Sequence, residues 1–230
     1  MIDEIAGYPA ETIDVDLDTA DTDEPQPSAG IRLYRVARLE ELVDREALLR
    51  GGDGPDPPYW ALVWIGARAI AARLRRHPPS PEARVLDLGC GLGLTGVVAG
   101  LAGCEVTFAD YVDDALAFAR ASAELHELQR FTVRRLDFTR DRTGQRYDLI
   151  LAADVIYDPA HYRPLVDFLD AHLATGGTIL MTETLRADAR DVLRMLAELG
   201  YTKETEPVWI EEEGKPERTW LHALRRAAAP

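Results

Sequence analysis

The chain has 230 residues, of which 47% are apolar and 29% are charged, a balance typical of a folded globular protein. No stretch approaches the roughly 20 apolar residues that a membrane-spanning helix needs, and the recurring apolar blocks exclude a wholly disordered chain. The 40 acidic and 26 basic side chains leave a formal charge of −14, so neither nucleic acid nor membrane is expected as a partner.

The N-terminal segment is acidic and carries alternating apolar residues. Residues 1–28 contain nine acidic residues and neither Lys nor Arg, which is typical of a disordered acidic tail. However, residues 12–18 and 31–36 alternate apolar and polar side chains, which favours two strands with one buried face each. We therefore expect a small N-terminal hairpin with a proline-containing loop, followed by a helix over residues 39–50.

From residue 58 the pattern changes to alternating helices and strands. Helices are expected at 58–76, 94–101, 113–127, 158–174 and 186–199. Strands are expected at 84–88, 105–110, 131–136, 147–153, 177–183, 203–210 and 218–225. This alternation predicts βαβ units in an α/β fold, with a parallel sheet and helices on both faces. The last two strands lack an intervening helix and should pair antiparallel.

Two features of this pattern concern the start of the main domain. The change of pattern divides the chain into an N-terminal extension, residues 1–57, and a main domain, residues 58–230. In the first helix of the main domain, Trp60 and Trp64 lie four residues apart. On a helix they would share one side.

A glycine-rich segment, Val85-Leu86-Asp87-Leu88-Gly89-Cys90-Gly91-Leu92-Gly93, joins the first main-domain strand to a helix. Glycines allow a tight turn and a close approach of a ligand to the backbone, and amides at the helix start face that ligand. Residues 91–96 also satisfy the GxGxxG pattern, and Asp110 lies 19 residues after Gly91. A nicotinamide dinucleotide is therefore one candidate ligand.

Two acidic residues favour a different ligand. Asp87 ends the first strand, where a carboxylate is unfavourable beside a pyrophosphate but favourable beside the ammonium group of an amino-acid moiety. Asp137 closes the third strand, where a carboxylate can accept a hydrogen bond from an exocyclic adenine amine.

These motifs resemble those of the seven-strand (class I) S-adenosylmethionine-dependent methyltransferases, over roughly residues 58–225. The resemblance implies a Rossmann-like sheet of strand order 3-2-1-4-5-7-6 with strand 7 antiparallel. It implies S-adenosyl-L-methionine as the methyl donor and S-adenosyl-L-homocysteine as its product. It assigns contacts with the donor to Asp87 (amino group), Gly89, Gly91 and Gly93 (backbone approach), Asp110 (ribose), and Asp137 and Phe138 (adenine).

The end of the fourth strand carries groups suited to an amine acceptor. An amine is cationic at neutral pH and must lose a proton before its lone pair can accept a methyl group. A carboxylate can attract and orient the ammonium, and a tyrosine can hydrogen-bond to it. Asp154 and Tyr157 supply these groups, although a helix-capping Asp and a packed Tyr fit the same spacing.

Asp154-x-x-Tyr157 and the segment Pro57-Pro58-Tyr59-Trp60-Ala61 resemble the methyltransferase family 16 group of protein-lysine methyltransferases. Within that group they are most similar to the members that act on the electron-transfer flavoprotein β-subunit. The resemblance implies a protein partner that carries a target lysine. It also implies that Trp64, Phe138 and Ala153 line the cofactor pocket, and that Asp154 and Tyr157 position the acceptor amine.

Other functions stay open at this point. A small-molecule metabolite could be the acceptor, because fold does not determine substrate. A nicotinamide-dependent oxidoreductase and a non-catalytic binding module are less favoured. The histidines show no ligand spacing, so no metal is expected. Cys90 and Cys104 form no disulfide framework, which favours the cytoplasm as the location. Glu183, after the fifth strand, either faces the acceptor or is exposed.

Overall fold

Two sheets and a set of α-helices make up the computed structural model, which describes residues 2–17, 30–42, 58–183, 189–212 and 214–227. The α-helices are α1 (Ile65–Arg76), α2 (Leu94–Leu101), α3 (Asp113–Leu125), α4 (Tyr162–His172) and α5 (Arg190–Glu198). The strands are β1 (Glu4–Ile5), β2 (Tyr8–Val15), β3 (Ile31–Val36), β4 (Arg84–Leu88), β5 (Glu105–Asp110), β6 (Phe131–Arg135), β7 (Tyr147–Ala152), β8 (Leu173–Glu183), β9 (Tyr201–Glu212) and β10 (Lys215–Arg226). Short 3₁₀ helices lie at Leu39–Leu42, Tyr59–Ala61 and Pro159–His161. No helix in the described ranges is long and apolar enough to cross a bilayer.

The central sheet has seven strands in the order β6-β5-β4-β7-β8-β10-β9. Strands β4 to β8 pair in parallel, whereas β10 pairs antiparallel with both β8 and β9. This confirms the predicted fold and strand order. The chain first builds outward from β4 through β5 to β6 and then returns to add β7 on the other side of β4. Ligands in such sheets bind where the order reverses, at the carboxyl ends of the strands.

Helices cover both faces of this sheet and bury its central strands. One apolar cluster joins the sheet to α1, α2 and α3, and a second joins it to α4 and α5. Successive residues of β4 alternate between the clusters, with Val85 in the first and Leu86 in the second. Burial on both faces explains why the central strands read as continuous apolar runs rather than as alternating ones.

The N-terminal strands form a separate three-stranded antiparallel sheet of order β1-β2-β3. In this sheet β2 and β3 form the expected antiparallel hairpin, with Thr12 opposite Tyr34, although the first strand covers residues 8–15 rather than 12–18. The sheet docks on α3, because the Tyr34 amide donates to the buried Ser122 hydroxyl at 3.1 Å. The expected proline-containing loop and most of the helix expected over residues 39–50 lie outside the described residues.

The structure does not contain the single helix expected around the two tryptophans. Helix α1 begins one residue after Trp64, and Trp64 itself has an extended backbone. Trp60 packs on Phe118 of α3, with ring centroids 5.5 Å apart. Trp64 instead packs on Tyr59 and donates its indole N–H to the Tyr59 carbonyl at 2.9 Å. Two aromatic residues are too few to define a helical period, and the tertiary contact of Trp60 decided the backbone path.

We expect the N-terminal sheet to contribute to global stability through Leu33, which is fully buried on β3. Leu33→Ala should lower the free energy of unfolding by about 2–5 kcal/mol, because it leaves a cavity in the core cluster shared with α3. The exposed Arg35 on the same strand provides the control, and Arg35→Ala should cost less than about 1 kcal/mol. Urea unfolding followed by tryptophan fluorescence measures both, and equal midpoints for the two variants would contradict the prediction.

Candidate active site

A cleft of about 770 Å³ opens over the carboxyl ends of β4, β5 and β7. Its walls come from the glycine loop after β4, the end of β5 and the segment that follows β7, together with the Tyr59–Trp64 segment and Tyr8 of β2. The volume lies within the range of small-molecule sites. The cleft therefore occupies the position that the strand order indicates for a ligand.

Most of the residues that sequence analysis assigned to a site meet in this cleft. Its lining includes Trp64, Asp87, Gly89, Gly91, Asp110, Phe138, Ala153, Asp154 and Tyr157. Gly93 and Asp137 are not part of the lining. Gly93 begins α2 with a positive φ of 87° and packs on α3, where an added Cβ would lie 3.1 Å from Ala119.

The glycine loop is fixed to the end of β5, and its glycine positions leave little room for a side chain. Gly91 has a φ of 51°, in the left-handed region, and an added Cβ would lie 3.0 Å from the Trp60 carbonyl oxygen. The Gly89 and Cys90 amides donate to the Ala109 carbonyl at 2.8 and 3.0 Å. These contacts hold the loop backbone against the cleft, so that a ligand can approach it closely.

Asp87 is a buried carboxylate at the end of β4. Its side chain accepts hydrogen bonds from the Thr95 hydroxyl at 2.6 Å and from the Gly96 amide at 2.8 Å. Burial raises the pKa of Asp87 to about 7, the two hydrogen bonds oppose this shift, and nearby Asp110 adds to it. A cation in the cleft would stabilise the ionised form, so Asp87 is suited to an ammonium group.

Asp110 holds the corresponding position at the end of β5. Its two oxygens accept hydrogen bonds from the Val112 amide at 3.0 Å and from the Gly91 amide at 3.1 Å. Burial raises the pKa of Asp110, and these backbone hydrogen bonds oppose the shift. The carboxylate thus connects the glycine loop to β5 and retains acceptor capacity for hydroxyl groups of a ligand.

Asp137 and Phe138, which follow β6, have different surroundings. The Asp137 carboxylate accepts hydrogen bonds from the Thr139 hydroxyl at 2.6 Å and the Thr139 amide at 3.0 Å, and it pairs with Arg140 at 3.2 Å. The hydroxyl contact is the main reason why the pKa of Asp137 is lowered. Phe138 lines the cleft, with its ring edge-on to His161. The contact of Asp137 with an adenine amine stays a prediction.

Asp154 combines an unusual backbone conformation with an unsatisfied acceptor. Its φ is 53°, and its Oδ2 accepts a hydrogen bond from the Gly66 amide at 3.0 Å. Its Oδ1 is buried and has no hydrogen-bond partner in the described part of the chain. Burial raises the pKa of Asp154 to about 6, against the effect of hydrogen bonds from Gly66 and Thr182. An amine in the cleft would supply the missing donor.

Tyr157 lies at the mouth of the cleft. Its side chain is 54% exposed, and its ring contacts His161 edge-on. Tyr157 therefore lies where an incoming acceptor would enter the cleft.

Tyr8 is a cleft residue that sequence analysis missed. Its hydroxyl donates to Asp114 of α3 at 3.0 Å, and its ring packs against Trp60 with centroids 6.1 Å apart. No local pattern marks Tyr8, because only the docking of the N-terminal sheet on α3 brings it to the cleft.

Glu183 fits neither of the two interpretations left open for it. It does not line the cleft, and its side chain is only 19% exposed. One oxygen accepts a hydrogen bond from the Ala189 amide at 3.0 Å, and the other lies 3.4 Å from the buried His222 ring. In the ranges that the structure describes, no cluster of His, Cys, Asp and Glu could hold a metal ion.

Comparison with known families and proteins shows the family to which the chain belongs. A sequence family described as "Lysine methyltransferase" matches residues 61–198, more than half of the chain. The chain belongs to this lysine methyltransferase family. The resemblance noted from Asp154-x-x-Tyr157 and the Pro-Pro-Tyr-Trp-Ala segment is therefore confirmed.

Individual protein-lysine methyltransferases are similar over more than half of this chain. The electron transfer flavoprotein beta subunit lysine methyltransferase of Danio rerio is 33% identical over 165 residues, which are 70% of this chain and 63% of that protein. The protein N-lysine methyltransferase METTL21A of Danio rerio is 34% identical over 60% of this chain and 66% of its own length. The match thus spans less than two thirds of either relative.

Solved structures show the same fold at lower identity. N-methyltransferase NodS from Bradyrhizobium japonicum, in complex with S-adenosyl-L-homocysteine, superposes with a TM-score of 0.61 at 21% identity. The superposition covers 83% of this chain and 97% of NodS. At this identity the likeness establishes the Rossmann-like methyltransferase fold alone.

We expect the raised pKa of Asp154 to make stability depend on pH. A carboxyl whose pKa is higher in the folded state favours folding at low pH, and this contribution is lost as pH rises from about 4 through about 6. Asp154→Asn removes the ionised form, so it should raise the free energy of unfolding at pH 8 by about 2–3 kcal/mol more than at pH 4.

Denaturant unfolding at the two pH values measures this difference. The control is Asp113→Asn, because the Asp113 side chain is 73% exposed. This substitution should not raise the free energy of unfolding at pH 8. If Asp154→Asn changes the free energy of unfolding equally at pH 4 and pH 8, ionisation of Asp154 does not destabilise the folded protein and the prediction is wrong.

Proposed function

We propose that this protein is an S-adenosyl-L-methionine-dependent methyltransferase that modifies a lysine side chain of a partner protein. The Oδ1 of Asp154, buried without a hydrogen-bond partner in the described residues, carries the proposal, because Asp154 lines the same cleft as the glycine loop and this oxygen could accept a hydrogen bond from a cationic amine. Membership of the lysine methyltransferase family and the names of the relatives support the same acceptor.

The chemistry of the cleft fits the proposed donor. The donor combines an ammonium group, ribose hydroxyls and an adenine ring. Asp87 would pair with the ammonium, and Asp110 would accept hydrogen bonds from the ribose. Backbone approach at Gly89 and Gly91 and contacts with Trp64, Phe138 and Ala153 complete the set within the cleft lining. Outside that lining, Gly93 would act by allowing the turn into α2, and Asp137 would accept a hydrogen bond from the adenine amine.

The residues after β7 would prepare the acceptor. At neutral pH Asp154 is ionised, because its pKa is about 6, and its Oδ1 would accept a hydrogen bond from the lysine ammonium. The Tyr157 hydroxyl would bond to the same nitrogen at the cleft mouth. The ammonium releases a proton to solvent or to Asp154, which frees the lone pair. When bound, the donor supplies a methyl group whose carbon–sulfur bond breaks as the carbon–nitrogen bond forms.

Two further parts of the proposal concern the chain as a whole. Residues 1–57 form an extension that supplies Tyr8 to a main domain over residues 58–230, since Tyr8 reaches the cleft from β2. The protein acts in the cytoplasm, where the two buried cysteines stay reduced thiols.

We expect label from methyl-labelled donor to enter a protein when the chain is incubated with desalted lysate. The label should map to lysine after digestion. Asp154→Asn should slow the transfer about 100-fold or more, because the amine loses the carboxylate that orients it. Asp167→Asn, on α4 and outside the cleft lining, should keep the wild-type rate. A parallel reaction contains added small metabolites. If label enters only these small molecules, the acceptor is a metabolite and not a protein.

We also expect donor binding to depend on pH through Asp87. The carboxylate pairs with the ammonium only when ionised, and its pKa is about 7. S-adenosyl-L-homocysteine should therefore bind about tenfold more weakly at pH 6 than at pH 8. Asp87→Asn should bind weakly at both pH values, while Asp113→Asn keeps the wild-type profile. Titration calorimetry measures all three proteins, and an equal affinity of the wild type at the two pH values would exclude this pairing.

A further inference from the structure

The backbone at Asp154 adopts a conformation that the surrounding structure must hold in place. A φ of 53° is in the left-handed region, which non-glycine residues populate rarely. Such conformations persist only where neighbouring contacts determine them, and they concentrate at functional sites. The contacts of Asp154 with the two elements packed against it therefore indicate what the local structure is built to do.

Gly66, in the first turn of α1, holds one oxygen of the carboxylate. The amides of a first helical turn have no partner within the helix, and the Gly66 amide donates to Asp154 Oδ2 at 3.0 Å. The absence of a side chain permits this approach. A Cβ at position 66 would overlap both Asp154 Oδ2 and the Thr182 hydroxyl oxygen. Any larger residue would displace the carboxylate or the threonine.

Thr182, on β8, holds the backbone of Asp154. It is fully buried, and its hydroxyl oxygen accepts a hydrogen bond from the Asp154 amide at 3.2 Å. The hydroxyl proton is then available to the carboxylate, and this contact lowers the pKa of Asp154 in opposition to burial. One hydroxyl group thus influences both the backbone and the side chain of the same residue.

We propose that Gly66 and Thr182 are positioning residues, which hold Asp154 so that its Oδ1 is kept for the acceptor amine. This inference rests on the proposed function, because that function assigns the amine to Asp154. The contacts support these roles. The Gly66 amide donates to Asp154 Oδ2, and the Asp154 amide donates to the Thr182 hydroxyl, whereas Oδ1 is buried without a partner in the described residues. Neither positioning residue needs to touch the substrate.

The charged groups on the neighbouring elements are engaged elsewhere. Glu183 follows Thr182 on β8 and contacts the Ala189 amide and His222. Arg68 follows Gly66 on α1 and pairs with Glu212 at 2.9 Å. Tyr157 lies three residues after Asp154 on the same segment. Substitutions at Thr182 leave all of these groups in place, so a change in the pH profile reports on Asp154.

The decisive experiment compares Thr182→Val, which removes the hydroxyl, with Thr182→Ser, which keeps it. Thr182→Val should move the acidic limb of the pH profile of kcat/KM up by about one unit and so lower kcat/KM at pH 6.5 by about threefold. Thr182→Ser should restore both. Affinity for S-adenosyl-L-homocysteine should stay the same in both variants. A matched control is Thr178→Val, which removes a hydroxyl in the middle of the same strand and should leave the profile unchanged.

A second measurement does not require activity. The pH range over which Asp154→Asn alters the free energy of unfolding reports the pKa of Asp154 directly. In a Thr182→Val background this range should extend to higher pH, and Gly66→Ala should extend it likewise. If the wild type methylates no protein but this range shifts, the proposed function fails while the positioning of Asp154 stands.

Two results would overturn the inference. One is a Thr182→Val protein that retains the wild-type pH profile, both in kcat/KM and in the stability measurement. The other is a Thr182→Ser protein that loses as much activity as Thr182→Val. Thr182→Ser keeps the hydroxyl and removes only the methyl group, so an equal loss would show that Thr182 acts through packing rather than through its hydroxyl.

Discussion

Parallel pairing of β4 with β5 and with β7 is the constraint on which the site depends. Because these strands run in the same direction, their carboxyl ends meet at one edge of the sheet. Asp87, Asp110 and Asp154 lie far apart in the sequence but line the same cleft for this reason. The change in building direction at β4 also leaves a gap there, because helices α2 and α4 lie on opposite faces of the sheet.

Burial gives these acids their chemical character. Apolar strands and helices surround them, and desolvation raises the pKa of all three carboxyls. Backbone amides and threonine hydroxyls offset only part of that penalty. A cationic ligand would offset the rest, so the free cleft carries an electrostatic preference for ammonium groups. The same property suits both ends of a methyl transfer between a donor that carries an amino group and an acceptor that is an amine.

The N-terminal sheet extends this arrangement beyond the central fold. It docks on α3 through the Tyr34–Ser122 hydrogen bond and places Tyr8 and Trp60 against each other over the cleft. Strong negative charge in a segment of alternating residues therefore does not exclude a structural role. Apolar residues of the N-terminal sheet, such as Leu33 on β3, belong to the same core cluster as residues of helices α1, α2 and α3.

The sequence by itself determined the fold class, the strand order through the family resemblance, and the three acids of the cleft lining, Asp87, Asp110 and Asp154. The end of a buried strand and the glycine turn after it are determined by neighbouring residues in the sequence. The Val85–Gly93 segment and Asp110 could therefore be placed from the sequence alone. Only the tertiary structure decided that Trp60 and Trp64 pack against different residues, that Tyr8 reaches the cleft, and that the Asp137 carboxylate accepts hydrogen bonds from Thr139. It also decided the pairing of Asp154 with Gly66 and Thr182. These outcomes depend on contacts between residues distant in sequence, and such contacts leave no local periodicity to read.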